Sequence, residues 1–497
     1  MSVERRERTA LARSKEPPIL ALPLLGGRAL AVLYLSALFL PLALASLRQV
    51  APLDPWELAG AGAGLALLTA IAVQFVTSGR FGPVSGRLGI DKIMAFHKIA
   101  AWWVLFGLLL HPVLYVLPTL LDDRARGMDR LIAYYVLPHY RSGVIAIGAL
   151  ALLVIGSALR ERLPVRYEVW RASHVVLAVI VAGAGLHHAL TVGRFSALGA
   201  INTWWWAVAA TLAGVIATLY GWRWLWLHLH PWRLKSVTKL ADRTWELDIQ
   251  PAGKTPDLRY EAGQFVWMTV GARRFPLFDH PFSIADIPSR RGISLIIKEA
   301  GDFTDQVGRL APGTLVGVDG PYGEFSLDSH PGKAVLLVAG GAGIGPIMGL
   351  LRELVARKDP RPVRLAYAVG QPSNLACVGE IEAAKAVLDF EAMLISETGA
   401  EGFSGETGWL DRPRLERLLH GLAPNQTVAM ICGPGPMVVA VSDMLLEHGL
   451  PMERIVYERF DYAAGSASRQ DRKRFAQFLA VGAAVIAGIA GFVAVLA

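Results

Sequence analysis

Residues 96–111 read FHKIAAWWVLFGLLLH, an almost wholly apolar run with a histidine near each end. With its apolar neighbours at 93–117, the run is long enough to cross the hydrocarbon core of a membrane as a helix. An ionisable side chain inside such a helix is costly and usually marks a functional site. The stretch therefore predicts a membrane helix in which His97 and His111 have a function.

Six further apolar runs have the length of a membrane span. They are 29–48, 57–78, 142–159, 172–192, 203–222 and 476–497. Of the 497 residues, 53% are hydrophobic and 18% are charged, whereas about 25% charged residues is usual in soluble proteins. We therefore predict a membrane α-helical bundle of six core spans at 29–222, a large aqueous region, and a C-terminal seventh span at 476–497.

The distribution of positive charge predicts the orientation of the chain. The formal net charge is +8, and the Lys and Arg residues of the membrane half favour the N-terminal tail at 1–28 and the even-numbered links. The loop at 118–141 also carries arginines, so this bias is not absolute. By the positive-inside rule, the tail and the aqueous region face the cytoplasm of a bacterial-type inner or plasma membrane. This placement of the charge argues against nucleic-acid binding, and two cysteines argue against a disulfide framework.

Span five carries further histidines, and their spacing matches that of span three. His97 and His111 are 14 residues apart, so on an ideal helix they lie within about 40° of one face and ~21 Å apart along the axis. His174 and His188 have the same spacing, and His187 is one residue short of it. Neutral imidazole is a common ligand of haem iron. We predict two haems, one between His97 and His174 and one between His111 and His187 or His188; hydrogen bonding between helices or a proton relay is the alternative.

The aqueous region divides into two domains by its pattern of strands. The segments RTWELDIQP, QFVWMTVG, ISLIIKEAG and TLVGVDGPYG predict a small antiparallel β-barrel at 232–330. The segments AVLLVAG, RLAYAVG, AMLIS and TVAMICG alternate with helical stretches. This alternation predicts an α/β doubly wound domain at 331–462. A basic linker at 463–475 then leads to the last span.

A glycine-rich turn, GGAGIGP at 340–346, connects the first strand of the doubly wound domain to a helix. Such a turn exposes N–H groups and a helix dipole to a pyrophosphate, although a tight packing turn would have the same composition. A second glycine-rich segment, CGPGPM at 432–437, supports nucleotide binding. The nucleotide candidates are Gly340, Gly341, Gly343, Ile344, Gly345, Pro346, Gly433 and Pro434.

These motifs resemble those of one family. FHKIAAW followed by a second histidine is similar to the third span of the ferric reductase and NADPH oxidase family. RRFPLFDHPFSI (273–284) and KEAGDFTDQV (298–307) resemble the flavin-binding strand and the pyrophosphate-binding segment of the ferredoxin-reductase superfamily, and GPYG (320–323) follows in the same order. The resemblance implies that the FAD contacts are His280, Pro281, Phe282, Ser283, Ile284, Lys298, Gly301, Asp302, Phe303 and Thr304.

The resemblance also implies a transmembrane flavocytochrome b with two b-type haems, FAD and NAD(P)H. It places Cys432 beside the nicotinamide and Phe460 of YERFDY (457–462) over the flavin, although a small buried core residue is the alternative for Cys432. The oxidase branch favours His187 as the outer ligand, whereas ideal helix geometry favours His188; we keep both, with His187 ranked narrowly first. The segment AVGQPSN has no arginine for a 2′-phosphate, so the donor is written NAD(P)H.

The electron acceptor is the most open part of the prediction. Oxygen, giving superoxide, ranks narrowly before ferric chelates, and transfer to a partner protein or quinone is the further alternative. Eukaryotic oxidases of the family carry a second histidine one turn after the outer ligand and an arginine in span two. Here the first position is Tyr115, and the apolar part of span two contains no arginine. A dedicated oxygen pocket is therefore not expected.

Overall fold

The computed structural model describes residues 26–47, 54–78, 81, 90–271, 275–459 and 469–497. The chain divides into two compact units. One comprises Leu24–Trp222 together with Arg474–Ala497, and the other contains Arg223–Lys473. The first is the predicted membrane bundle and the second is the predicted aqueous region.

Among the described residues, seven helices are long and apolar enough to cross a membrane, which confirms the predicted number of spans. The helices before residue 230 are α1 (Gly27–Ser46), α2 (Pro55–Thr77), α3 (Ile90–Asp122), α4 (Arg124–Val136), α5 (Arg141–Ala158), α6 (Tyr167–Thr191), α7 (Gly199–Ile216) and α8 (Arg223–Leu229). Helix α4 is not a candidate span. Helix α7, a π-helical turn at Ala217–Trp222 and helix α8 together form one candidate span, Gly199–Leu229.

The loop expected at 118–141 is mostly helical, so that expectation is wrong. Helix α3 continues to Asp122 through two internal prolines, and α4 begins two residues later. The Asp123 carboxylate accepts a hydrogen bond from the Arg126 backbone N–H at 3.0 Å, which caps the start of α4. The mixture of charged and apolar residues that reads as a loop is the pattern of an amphipathic helix.

In the second unit, α8 is followed by a six-stranded antiparallel sheet, which is the predicted barrel. Its strands are β1 (Trp232–Ala241), β2 (Thr244–Pro251), β3 (Phe265–Val270), β4 (His280–Ser283), β5 (Ile293–Lys298) and β6 (Leu315–Tyr322), in the order β4-β3-β6-β1-β2-β5. The alternating apolar residues of these strands, such as Leu247 and Ile249 of β2, are fully buried inside the barrel.

A parallel six-stranded sheet follows, with helices between most of its strands. Its elements are β7 (Ala334–Gly340), α9 (Ile344–Arg357), β8 (Val363–Val369), α10 (Val378–Ala384), β9 (Phe390–Ser396), β10 (Glu406–Thr407), α11 (Arg412–Leu419), β11 (Thr427–Gly433), α12 (Gly435–Glu447) and β12 (Ile455–Arg459). The strand order is β10-β9-β8-β7-β11-β12. This is the predicted doubly wound domain, and its carboxyl edge is where such sheets bind ligands.

The C-terminal helix, α13 (Arg469–Leu496), begins earlier than the predicted start at 476, so the end of the expected linker is helical. Near its start, Asp471 accepts hydrogen bonds from Tyr457 at 2.8 Å and Arg459 at 2.6 Å. Further along, Phe492 is buried against the backbone of Gly62 in the helical bundle. Helix α13 is thus packed against other spans rather than being an isolated anchor.

Candidate functional site

Two of the predicted ligands face each other between α3 and α6. The imidazole rings of His97 and His174 have their centroids 6.4 Å apart. Imidazole nitrogens bind metals at about 2.0–2.1 Å in zinc sites, so two rings on opposite sides of one metal ion would have centroids about 6 Å apart. The observed separation fits a single iron held between these two side chains, which we call the inner pair.

Both rings of the inner pair have a partner at Nδ1. His97 Nδ1 lies 2.7 Å from the side-chain oxygen of Gln74 on α2, and His174 Nδ1 lies 3.1 Å from the Ser157 hydroxyl on α5. Metal-binding histidines usually use their other ring nitrogen in this way, because the hydrogen bond fixes the tautomer and orientation of the ring. These contacts leave Nε2 of each ring available as a ligand.

The other predicted pair is more asymmetric. His111 Nδ1 donates to the Gly60 carbonyl at 2.7 Å. His188 lies near His111 and is half-buried, whereas the neighbouring His187 is exposed. We call His111 and His188 the outer pair. Among the described residues, His188 Nδ1 is one of the buried polar atoms without a hydrogen-bond partner.

A glycine makes room for His188. A Cβ atom on Gly143 of α5 would lie 2.8 Å from His188 Nδ1 and 2.9 Å from its Cε1. Real Cβ atoms essentially never make contacts this short, so a larger residue at 143 would require the His188 ring to shift. Since α3 and α6 are continuous helices, the 14-residue spacings place both pairs at matched depths, ~21 Å apart. The geometry thus favours His188 over His187.

A charged cluster lies near the outer pair, and the sequence analysis did not identify it. The Tyr115 ring contacts the His111 ring edge-to-face, with centroids 5.3 Å apart. Glu57 at the start of α2 forms ion pairs with Arg130 of α4 at 3.1 Å and with Arg194 at 3.7 Å. These three residues come from separate parts of the sequence, and no local motif connects them. The cluster carries a surplus positive charge, because two arginines share one glutamate.

The predicted flavin strand is β4, and it brings aromatic rings together. His280 stacks on Phe303 with ring centroids 4.1 Å apart and an interplanar angle of 15°. Phe282 lies 6.0 Å from the same Phe303 ring, and Ser283 at the end of the strand is buried. The two motifs DHPFS and GDFT are therefore parts of one surface, as their resemblance to flavin-binding segments implies.

The side chain of Thr304 stabilises the turn at Gly301 with two hydrogen bonds. The Thr304 hydroxyl accepts from the Ala300 N–H at 2.7 Å and donates to the Gly301 carbonyl at 3.1 Å. The helix after it is a single short 3₁₀ segment, Thr304–Arg309. The expected role of Thr304 as a phosphate donor thus competes with a structural role in this turn.

The glycine-rich turn after β7 is close to both the barrel and the second glycine-rich segment. A Cβ on Gly341 would lie 3.6 Å from the Lys298 ammonium group of β5, so a cation is near the predicted pyrophosphate position. A Cβ on Gly343 would lie 2.0 Å from the Cys432 carbonyl oxygen, an impossible contact. Glycine at 343 therefore permits the turn and the carboxyl end of β11 to pack together.

Cys432 itself is fully buried at the end of β11. Burial, with a smaller contribution from Glu458, raises the pKa of the Cys432 thiol well above its ordinary value. The thiol is therefore protonated at neutral pH and cannot act as a thiolate nucleophile. The other residue predicted as catalytic, Phe460, lies outside the described residues.

Arg352 of α9 is held by the barrel and by a neighbouring helix. Its guanidinium binds Glu246 of β2 at 2.8 Å and Glu380 of α10 at 2.7 Å, and it also donates to the Ala285 carbonyl. Two carboxylates satisfy this cation, so it serves to join the barrel to the doubly wound domain.

Three family models match successive parts of the chain. Residues 63–185 match a model described as a ferric reductase like transmembrane component. Residues 229–326 match an FAD-binding domain, and residues 337–443 match an oxidoreductase NAD-binding domain. The chain is therefore an oxidoreductase with FAD- and NAD-binding domains and a multi-pass membrane component.

Curated relatives resemble part of the chain. The reductase component of propane 2-monooxygenase from Mycolicibacterium smegmatis is 30% identical over 186 residues, which are 36% of this chain and 53% of the relative. The electron transfer subunit of dihydroorotate dehydrogenase B from Desulforamulus reducens is 27% identical over 237 residues, which are 47% of this chain and 84% of the relative. The chain thus spans about half the length of the first relative.

A solved flavohemoglobin from Malassezia yamatoensis, with bound FAD and heme, aligns with 81% of this chain and 99% of its own, at 17% identity and a TM-score of 0.45. A ferric reductase membrane component followed by FAD- and NAD-binding domains is the architecture that the sequence motifs indicate. The three matches therefore reproduce, in the same order, the domain architecture of the ferric reductase and NADPH oxidase family.

Proposed function

We propose that this chain oxidises NAD(P)H on the cytoplasmic side of a membrane and reduces an acceptor on the opposite side, using FAD and two b-type haems. FAD accepts a hydride and releases single electrons, and haem iron carries single electrons, which is chemistry that side chains alone do not supply. The inner haem would be held by His97 and His174 and the outer haem by His111 and His188.

The observation that carries the proposal is the arrangement of four histidines on α3 and α6. The inner pair has the ring separation expected around one iron, and the Nδ1 partners of His97, His174 and His111 leave Nε2 available. Hydrogen bonds between helices, the alternative interpretation, are present at Nδ1 of these three rings, but they do not account for the second nitrogen of each ring or for the facing positions of His97 and His174. The separation therefore favours two side chains that would hold one metal ion between them.

On the donor side, the residues of the second unit would bind and orient the nucleotides. Lys298 and the N–H groups of the turn at Gly341 offer a positive charge and donors to phosphate oxygens. The stacked rings of His280 and Phe303 provide a flat apolar surface beside β4. Cys432, as a neutral buried thiol, shapes the carboxyl edge near the turn without adding charge.

For the acceptor, oxygen giving superoxide remains our first proposal, because oxygen reaches an outer haem without a dedicated binding site. A specific observation favours ferric chelates as the second candidate. The cluster of Glu57, Arg130 and Arg194 has a surplus positive charge near the outer pair, which would attract an anionic chelate. Transfer to a partner protein or quinone is the remaining alternative, and rapid turnover by the isolated chain would argue against it.

The haem assignment can be tested by spectroscopy of the purified chain. We expect two haems per chain and reduced b-type absorbance after addition of NAD(P)H and FAD. His188→Ala should remove one of the two haems, whereas the neighbouring change His187→Ala should keep both. Folded protein without any haem band would contradict the proposal, and loss of a haem in His187→Ala alone would reassign the outer ligand.

The acceptor can be tested by running two assays side by side. Superoxide dismutase-sensitive reduction of cytochrome c measures superoxide, and reduction of ferric citrate measures the second candidate. Arg194→Gln should raise the KM for ferric citrate several-fold and leave the KM for a cationic acceptor such as hexaammineruthenium(III) unchanged. Equal effects on both acceptors would show that Arg194 does not select anions.

A further inference from the structure

Trp409 is an unusually exposed aromatic residue for the second unit. Among the described residues between 232 and 459, the large hydrophobic residues with exposed side chains are Val387, at 44%, and Trp409, at 67%. Val387 precedes the amino end of β9, whereas Trp409 follows the carboxyl end of β10. Only Trp409 therefore lies at the edge where open parallel sheets bind ligands.

The backbone around Trp409 is firmly held although its indole is exposed. The Arg414 guanidinium donates to the Trp409 carbonyl and to the Thr407 carbonyl, each at 2.9 Å. The Gly408 N–H donates to the Ser396 carbonyl at 2.8 Å, which attaches the segment to the end of β9. A side chain presented from a fixed backbone loses little freedom when a ligand binds it. The indole is thus a preorganised surface.

The strand order gives the direction in which a dinucleotide would extend. The glycine-rich turn follows β7, which lies between β11, with Cys432 at its end, and β8. If the nicotinamide lies beside Cys432, as the family resemblance implies, the adenosine half must extend from the turn over β8 and β9. Strands are spaced by about 4.8 Å, so β10 is about 14 Å from β7 on that same side. Trp409 lies at the far end of this path.

The carboxyl ends of the strands along this path are joined to one another. The Thr398 hydroxyl donates to the Gly370 carbonyl at 3.2 Å, which connects the segments that follow β8 and β9. The Gly408–Ser396 hydrogen bond continues the connection to β10. The backbone segments that follow β8, β9 and β10 are therefore hydrogen-bonded to one another, and this row of segments ends at the exposed indole of Trp409.

We propose that Trp409 stacks on the adenine ring of the NAD(P)H donor and so determines how tightly the nucleotide binds. This inference rests on the proposed function in that NAD(P)H is the donor, and on the implied position of the nicotinamide beside Cys432. Every base presents a π-face, and stacking on an aromatic side chain contributes substantially to binding nucleic-acid bases. Trp409 would act in binding alone, since it lies far along the sheet from the nicotinamide position beside Cys432.

The test uses the full-length holoenzyme and follows reduction of its FAD. Trp409→Ala should raise the NADH concentration for half-saturation on the order of 10-fold, with an unchanged maximal rate. Trp409→Phe should recover most of the affinity, and Val387→Ala, at the opposite edge, should behave as wild type. Reduced nicotinamide mononucleotide, which has no adenine, should reduce the FAD of wild type and Trp409→Ala equally.

Flavin reduction measures the donor half of the proposed function, so a different acceptor or a missing haem would not alter the result. An unchanged affinity for NADH in Trp409→Ala, while wild type is reduced normally, would overturn the adenine contact alone. An equal loss of affinity for NADH and for the mononucleotide would also overturn it, because the substitution would then have disturbed the whole domain. Failure of both NADH and NADPH to reduce wild-type FAD would overturn the proposed donor as well.

Discussion

The inner and outer histidine pairs come from the same two helices, but their surroundings differ. In the inner pair, His97 and His174 each have a side-chain partner at Nδ1. In the outer pair, His111 is held by a backbone carbonyl, and His188 lies against Gly143 with no partner for its Nδ1 in the described part of the chain. The orientation of the histidine rings thus depends on polar side chains in the inner pair. In the outer pair it depends on a backbone carbonyl and on the space beside a glycine.

This difference shows how one helix pair can provide two unequal sites. Hydrogen bonds to the non-ligating nitrogen raise the basicity of a metal ligand and fix its orientation. The inner pair has two such bonds and the outer pair has one. If both pairs bind haem, we expect the outer site to be the more sensitive to steric change and the inner site to loss of hydrogen bonds.

The largest effect should come from removing a ligand. His97→Leu and His111→Leu should each lose one haem and lower acceptor reduction by at least about 100-fold, the upper range found when only a group supporting a ligand is lost. The redox state of the remaining haem after NAD(P)H addition distinguishes the two variants. NAD(P)H should reduce it in His111→Leu and leave it oxidised in His97→Leu, because only the first retains the site nearer the donor.

This experiment can also contradict the order of the two sites. Absorbance spectra recorded during NAD(P)H addition would show the reverse pattern if the outer pair received electrons first. Reduction of a soluble dye at the flavin serves as the control, since it should be the same in both variants. A dye rate that falls with the haem would indicate a folding defect instead.

A smaller effect is expected from the hydrogen-bond partners of the inner pair. Gln74→Leu should weaken haem binding at the inner site by roughly 10- to 100-fold, because it removes the acceptor of His97 Nδ1. Ser157→Ala should have a weaker effect, since its contact with His174 is 3.1 Å rather than 2.7 Å. Haem titration of the apoprotein measures the haem affinity of each variant. An equal loss of affinity at the inner and outer sites would contradict a special dependence of the inner site on these hydrogen bonds.

The outer pair should respond to the volume of one side chain. Gly143→Ala places a methyl group where the His188 ring lies, so the outer haem spectrum or potential should shift while the inner one is unchanged. Gly148→Ala on the same helix α5 is the matched control, because nothing lies within 4 Å of its Cβ position. Both changes raise helix propensity equally. Identical spectra for the two variants would argue that His188 is not a ligand.

The fold was predictable from sequence where periodicity is strong. Apolar runs of membrane length and alternating strands identified seven spans and both sheets. The errors occur where polar and apolar residues mix: α4 was expected as a loop, and the start of α13 was expected at 476 rather than at Arg469. An amphipathic helix stabilised by packing has no long apolar run, so its sequence resembles that of a link.

The site was predictable only in part, because its partners come from different helices. The spacing of His97, His111 and His174 identified three candidate ligands, but a difference of one residue left His187 and His188 unresolved. Packing on α5 separates them, since Gly143 accommodates His188 and His187 is exposed. Gln74 has no motif of its own, and only the packing of α2 against α3 shows its contact with His97.

The smallest expected effects concern α13, which contacts the bundle near both pairs. Phe478 lies 5.2 Å from Phe96, the neighbour of the inner ligand His97, and Phe492 packs against Phe195 at 5.9 Å. Phe→Ala costs about 3–5 kcal/mol in a soluble core, but in lipid the hydrophobic part of that cost is absent. Phe492→Ala should therefore lower the midpoint of thermal unfolding modestly. Phe478→Ala should lower it less, because the Phe478 side chain is less buried.

Both variants should keep two haems with unchanged spectra if α13 supports the bundle from outside. A shifted inner-haem spectrum in Phe478→Ala would instead make α13 a wall of the inner site, and the two sites would then differ in their helices as well as in their hydrogen bonds.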